Sequence, residues 1–249
     1  MTGVADAARQ RDLVGGSPPV SRARTEVVGV DACPTGWVGV VLHDGRFAAA
    51  HAAPSLDGLL EQVPQAVTVG IDIPLGLLDS RWRQADRLAA ARLGRHRARV
   101  FPVPPRQVWE EDDYTAANQR CRTVIGSGLS RQTWGLVKKL REANHRRDSG
   151  DERLHEVHPE ISFATMAGGL PVAGTKKSWN GQLTRRRLLR AHGVVLPDDL
   201  GDAGRVPPDD VLDAAAAAWS AHRVARQVAE RLPDPPELTA SGLPIAIWS

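Results

Sequence analysis

The sequence predicts an α/β protein: one mixed sheet with flanking helices and a basic, mainly helical insertion. Three observations point to it. Three β-rich runs lie close together over residues 27–53, and a further buried-looking run over 67–73 follows a short helical stretch. An alanine-rich segment from Asp209 to about Arg231 repeats apolar residues at helical spacing, with Leu212, Ala215, Ala216 and Trp219 on one face.

The elements follow in chain order. Residues 1–24 contain Gly15, Gly16, Ser17, Pro18 and Pro19 without apolar periodicity, so they are expected to form a disordered leader ahead of a single domain over 25–249. Residues 27–31 read as a first strand ending in Asp31, and residues 37–42 as a second. Asp44-Gly45 is a tight-turn signal that returns residues 47–53 as a hairpin strand. Ser55 is an N-cap candidate for a short helix that Gly58 and Pro64 keep from extending. After that crossover, 67–73 reads as a parallel strand ending at Pro74. Strand, hairpin, helix, strand is the opening of an RNase H-like sheet. From about 75 to 150 the pattern becomes arginine-rich and helical, interrupted by Phe101-Pro102-Val103-Pro104-Pro105 and Gly126-Ser127-Gly128, and this is the expected insertion. Residues 155–163 read as a short edge strand containing Pro159, residues 183–190 as a basic helix, and 243–248 as a terminal strand.

Composition narrows the chemistry. The 249 residues suit one large core, and 42% hydrophobic with 24% charged residues is a globular balance. No apolar run reaches the roughly 18–20 residues that span a bilayer, and no secretory signal is evident, so a cytoplasmic location without a membrane partner is expected. Cys33 and Cys121 are too few for a disulfide framework or a zinc site. A metal would therefore be held by oxygen or imidazole ligands, which favours Mg²⁺, Mn²⁺ or Ca²⁺. The net charge is only +3, yet residues 81–147 hold 16 Lys/Arg against 6 Asp/Glu. Such a segment can attract a phosphate-rich partner.

The carboxylates give the pattern a function. Asp31 and Asp72 end two strands that parallel pairing would set on one sheet edge, where they could share a metal. Asp210 and Asp213, three apart at the start of the long helix, could present both carboxylates to the same place, with Asp209 as the helix N-cap. Glu156 is preferred over Glu160 as a further ligand, while His155 and His158 are secondary candidates for proton transfer or metal binding. Clustered carboxylates need positive charge to stay ionised together, and two-metal phosphoryl transfer supplies it. Each of these residues also has a purely structural reading: a turn, a cap, a helix-dipole partner or a surface ion pair.

The ordered motifs Gly29-Val30-Asp31-Ala32-Cys33-Pro34-Thr35-Gly36-Trp37-Val38, Ile71-Asp72-Ile73-Pro74-Leu75-Gly76, Val100-Phe101-Pro102-Val103-Pro104-Pro105-Arg106, Glu156-Val157-His158-Pro159-Glu160, Lys176-Lys177 and Asp209-Asp210-Val211-Leu212-Asp213-Ala214 together resemble the domain-of-unknown-function family 429, described as predicted nucleases with an RNase H fold. The resemblance runs from about Val27 to Trp248. It implies Asp31 on the first strand, Asp72 on a later core strand and Asp210 with Asp213 on the closing helix. Phosphodiester hydrolysis of nucleic acid with Mg²⁺ or Mn²⁺ is the leading expectation, with Asp31, Asp72, Glu156, Asp210 and Asp213 as catalytic ligands and Arg106, Arg131, Lys176 and Lys177 on the substrate. The alternatives are an ATPase or small-molecule kinase of the actin-like superfamily, and an inactive nucleic-acid-binding or scaffold protein.

Overall fold

The computed structural model describes residues 24–249; the expected leader, apart from Arg24, lies outside the described residues. The chain begins with β1 (Glu26–Cys33), β2 (Gly36–His43) and β3 (Arg46–Ala53), an antiparallel meander. Asp44 (φ 49°) and Gly45 (φ 80°) make the β2–β3 turn with left-handed backbone at both positions, as a two-residue hairpin requires. The short helix α1 (Leu56–Leu60) is capped by Ser55, whose side chain accepts from Gly58 N–H, and leads to β4 (Thr68–Ile71). β4 pairs parallel with β1.

Between β4 and the next strand the chain forms α2 (Gln84–Leu93), a 3₁₀ segment (Gly94–Arg99), α3 (Arg106–Trp109), α4 (Tyr114–Ile125), α5 (Arg131–Trp134) and α6 (Val137–Asp148). β5 (Leu154–Glu156) then pairs parallel with β4. The sheet order β3-β2-β1-β4-β5, with two antiparallel and two parallel pairings, is an RNase H-like α/β architecture. After it come α7 (Pro159–Met166), α8 (Trp179–Ala191), α9 (Pro208–Ala225), β6 (Arg231–Leu238) and β7 (Pro244–Trp248).

Several boundaries differ from the sequence reading. The strand expected over 155–163 stops at Glu156, and α7 begins at Pro159, because the fixed φ of proline suits the first turn of a helix as well as a strand end. The long helix ends at Ala225 rather than near Arg231: Gln227 turns left-handed (φ 58°), and the Val228 and Gln227 N–H groups close the last turn onto Arg223 and Val224. The basic helix expected over 183–190 starts earlier, at Trp179, where Ser178 caps it. β6 escaped prediction because Pro233, Pro235 and Pro236 interrupt it. It tolerates them as one strand of a two-stranded sheet whose register is irregular between Leu232 and Glu237. The terminal strand therefore pairs with β6, touching the main sheet through a parallel bridge from Val157 to Trp248.

Two apolar layers sandwich the main sheet. On one face Val27, Val38, Val40 and Leu42 pack against α9 residues Ala214, Ala215 and Ala218, with Phe163 and Leu189 of the neighbouring helices. On the other, Val28, Val30, Val41, Val69 and Ile71 pack against Leu56 and Leu59 of α1 and Leu140 and Ala143 of α6. Both cysteines are buried and free. Among the described residues no helix is long and apolar enough to cross a membrane.

Candidate metal centre

Strand register places the first two carboxylates. Gly29 lies opposite Gly70 and Val30 opposite Ile71, and the Asp72 N–H continues the ladder onto Val30 C=O at 2.9 Å. Side chains alternate along a strand, so Asp31 and Asp72, each two residues beyond a paired glycine, share the glycines' face. That face carries α9. A Cβ built on Gly29 would stand 1.9 Å from Ala218 N and 2.1 Å from Ala214 O, and one on Gly70 2.6 Å from Ala217 O. Only glycine allows the helix backbone to lie this close to the sheet. Asp213, immediately before Ala214, is thereby delivered to the two strand aspartates. Asp31, Asp72 and Asp213 each offer an oxygen within 4.8 Å of the others. Asp31 was expected to end its strand, but β1 runs on to Cys33 and Asp31 lies within it.

The electrostatics of this trio are unusual for aspartate. Asp31 and Asp213 are buried and Asp72 is partly exposed. Burial, then Asp72 and Asp213, hold the Asp31 carboxyl well above the usual carboxylate range. Burial raises Asp72 to about 7, with Lys176 opposing and Glu156 and Glu160 adding to the rise. Asp213 is also raised to about 7 by burial, again opposed by Lys176 and reinforced by Asp72. The Lys176 ammonium donates to Asp213 Oδ2 at 2.5 Å. Although burial acts against its charge, Asp213, Asp31 and Asp72 hold Lys176 above its ordinary value. Asp31 Oδ1 accepts from Ala32 N–H at 2.7 Å, whereas Asp213 Oδ1 is buried without a hydrogen-bond partner among the described residues. An all-oxygen donor set with one unsatisfied buried oxygen fits a hard divalent cation.

The other expected site residues fall around this centre or away from it. Asp210, partly exposed on the first turn of α9, is raised to about 6 by burial and then by Asp209, and its charge reaches Asp31 and Asp72. It lies outside the group of three. Asp209 is not the N-cap; Pro207 holds that position, and the Asp209 carboxylate lies 3.9 Å from the Lys176 ammonium. Glu156 is not brought to the trio: Arg83 Nη1 and Nη2 donate to its two oxygens at 2.8 and 2.6 Å, and Leu75 N–H donates at 2.8 Å. Glu160 is held likewise by Arg99, at 2.7 Å, and by the buried Arg185. Strand and helix direction sent both glutamates toward arginines, which satisfy them without a metal.

His155 hydrogen-bonds Arg153 C=O at 2.9 Å and meets Trp248 edge-on. His158 is within 3.3 Å of Arg99 C=O, and burial lowers its pKa. Lys176 enters the site; exposed Lys177 acts electrostatically on Asp210. Arg106 is 3.7 Å from Asp148, and Arg131 lies over the Tyr114 ring, so each has a local partner elsewhere. Gly126 ends α4 in left-handed backbone, which accounts for the interruption expected at Gly126-Ser127-Gly128.

Sequence reasoning missed a buried polar clamp behind Asp72. Arg83, wholly buried, bridges Glu156 and Asp86, and Asp86 also accepts Val103 N–H at 2.9 Å. Asn144 of α6 accepts from Gly76 N–H and donates to Pro74 C=O, both at 2.8 Å. The Pro74–Gly76 loop is thus held on both sides, which fixes the chain leaving Asp72. The Arg83-x-x-Asp86 spacing was visible in sequence, but it reads equally as a surface pair. Much of the basic charge of this segment is engaged internally, since Arg92, Arg99, Arg120 and Arg146 also join acidic partners.

A family model described as "Protein of unknown function (DUF429)" matches residues 29–238, which includes the whole carboxylate trio. No curated protein and no solved structure matches the chain.

Proposed function

The chain belongs to the DUF429 family, and from the centre described above we propose that it is a divalent-metal-dependent phosphodiesterase acting on nucleic acid. The carrying observation is the convergence of Asp31, Asp72 and Asp213 from β1, the end of β4 and α9. Asp213 Oδ1, buried and unpartnered among the described residues, adds to it. Asp31, Asp72 and Asp213 are the residues that would hold the ion, and their oxygen ligands favour Mg²⁺ or Mn²⁺. When bound, such an ion polarises a phosphoryl oxygen and makes water a better nucleophile near neutral pH.

The side chains divide the remaining work. Lys176 fixes Asp213 through Oδ2 and leaves Oδ1 for the ion. Its ammonium also adds positive charge where a phosphodiester approaches, and Lys177 extends that charge outward on exposed surface. Asp210, partly exposed and with a pKa of about 6, can take a proton from the attacking water at neutral pH. Arg83, Glu156 and Asn144 position Asp72 by holding the loop behind it.

Metal-supplemented cleavage of labelled single-stranded, duplex, branched and RNA-hybrid substrates tests the reading, with Asp31→Asn and Asp213→Asn as controls. Cleavage that both substitutions abolish is the expected result. Cleavage that survives both removes the proposed centre, and nucleotide hydrolysis without strand cleavage favours the actin-like alternative.

A further inference from the structure

The loop that carries Lys176 runs directly into α8, and the outward side of that helix combines an exposed indole with three exposed arginines. Six of the seven tryptophans are buried or partly buried; Trp179, in the first turn of α8, is 80% exposed. Trp179, Leu183, Arg186, Arg187 and Arg190 recur at helical spacing along one stripe, and with Val195 and its neighbours they line a cavity of about 420 Å³. No acidic side chain lines this cavity. Arg186, Arg187 and Arg190 are exposed, and none joins an ion pair among the described residues. By contrast Arg185, on the inner side of the same helix, is buried against Glu160.

We propose that the outer groove of α8 binds an unpaired stretch of nucleic acid, with a base stacked on Trp179 and phosphates on Arg186, Arg187 and Arg190, and guides it to the carboxylate centre. An exposed indole offers a flat face to any base, which a duplex does not present, and guanidiniums pair with phosphate oxygens. The stripe from Trp179 to Arg190 covers twelve residues, about 16 Å of helix, which is long enough for more than one nucleotide. Its link to the centre is rigid. Ser178 donates to Thr175 C=O at 2.9 Å and caps the helix through Gly181 N–H, and a Cβ on Gly181 would stand 1.9 Å from Thr175 O. The backbone just ahead of Lys176 is thereby tied to the first turn of α8, while the Lys176 ammonium itself is held on Asp213. Asp198 and Asp199 line the adjoining cavity beyond Arg186 and set a repulsive border on that side.

This proposal names the substrate form for the phosphodiesterase reading, so its test separates the two. The full chain is titrated, in EDTA, with labelled 12-nucleotide oligo-dT, oligo-rU and an abasic strand of equal phosphate number. Trp179→Ala weakens binding of the base-bearing strands about tenfold, leaves the abasic strand unchanged, and Trp179→Phe restores most of the loss. Changing Arg186, Arg187 and Arg190 to Gln weakens all three strands and flattens the salt dependence of binding by roughly 0.7 per lost phosphate contact. Binding of both the dT and the rU strand is expected, because stacking on Trp179 needs only an unpaired base. Equal binding by wild type and Trp179→Ala, or no oligonucleotide binding by either, overturns the groove, including the case in which it accepts a protein instead. If the groove binds as described but no strand is cleaved with Mg²⁺ or Mn²⁺, the groove stands and the phosphodiesterase reading fails.

Discussion

Asp213 divides its two oxygens between opposite demands. Oδ2 is held by Lys176 at 2.5 Å, while Oδ1 is buried with no partner among the described residues. A buried carboxylate oxygen left this way is costly for stability, and it makes sense where a cation completes it. Asp31 faces the same conflict, being buried beside two further carboxylates. Asp31→Asn should therefore lower metal-dependent cleavage by about 100-fold or more, beyond the usual loss from an outer-shell change. The same substitution should raise the metal-free melting temperature at pH 8, because it removes a carboxyl whose ionised form burial and the neighbouring Asp72 and Asp213 disfavour; calorimetry with and without Mn²⁺ checks both halves. Lys176→Met should act in the opposite direction, lowering metal-free stability at pH 8, and added Mn²⁺ should recover more stability in the variant than in the wild type.

At the scale of elements, the site depends on how closely α9 lies on β1 and β4. The contacts at Gly29 and Gly70 are with helix backbone, which cannot rotate aside as a side chain can. Gly29→Ala should cost about 1–3 kcal/mol, the range for overpacking, and should weaken metal binding because Asp213 moves with α9. Urea unfolding and metal titration of one sample measure the two effects. The second device is the Arg83 clamp. Arg83 is the buried cation between Asp86 and Glu156, with burial opposing its charge and those two carboxylates restoring it. Arg83→Leu leaves both acids buried without it and should cost about 3–5 kcal/mol. Glu156→Gln removes a charge but keeps the shape; a large loss of metal affinity in this variant with stability intact would falsify its assignment as a positioning residue.

For the whole molecule, the raised carboxyls couple stability to pH. Asp72 and Asp213 titrate at about 7 in the folded chain against an ordinary 3.8. Between about pH 4 and 7 the folded state therefore keeps protons that the unfolded state has released, so without metal stability falls as pH rises through this window, and the raised Asp31 carboxyl acts in the same direction. A divalent ion replaces those protons. Its affinity should climb from pH 6 to 8, and the stability curve with Mg²⁺ or Mn²⁺ should lose the downward slope. Thermal melts across pH with EDTA or metal read both trends. The same charge accounting bears on the basic segment: several of its arginines neutralise internal acids, so the proposed phosphate-facing charge lies along Lys176, Lys177 and the outer face of α8.

The sequence by itself determined the opening strand pattern, the Asp44-Gly45 hairpin, the family and a pool of five candidate carboxylates that contains Asp31, Asp72 and Asp213, because alternation, turn chemistry and the aspartate motifs are local signals. Local signals also misled. Pro159 opens a helix, three prolines hid β6, and Glu156 looked as free as Asp72 until its arginine was seen. Only the tertiary structure decided which carboxylates meet. That depended on parallel register between β1 and β4, on glycines that admit α9, and on buried arginines that draw Glu156 and Glu160 away. Each of these joins residues far apart in the chain, and no spacing along the sequence encodes it.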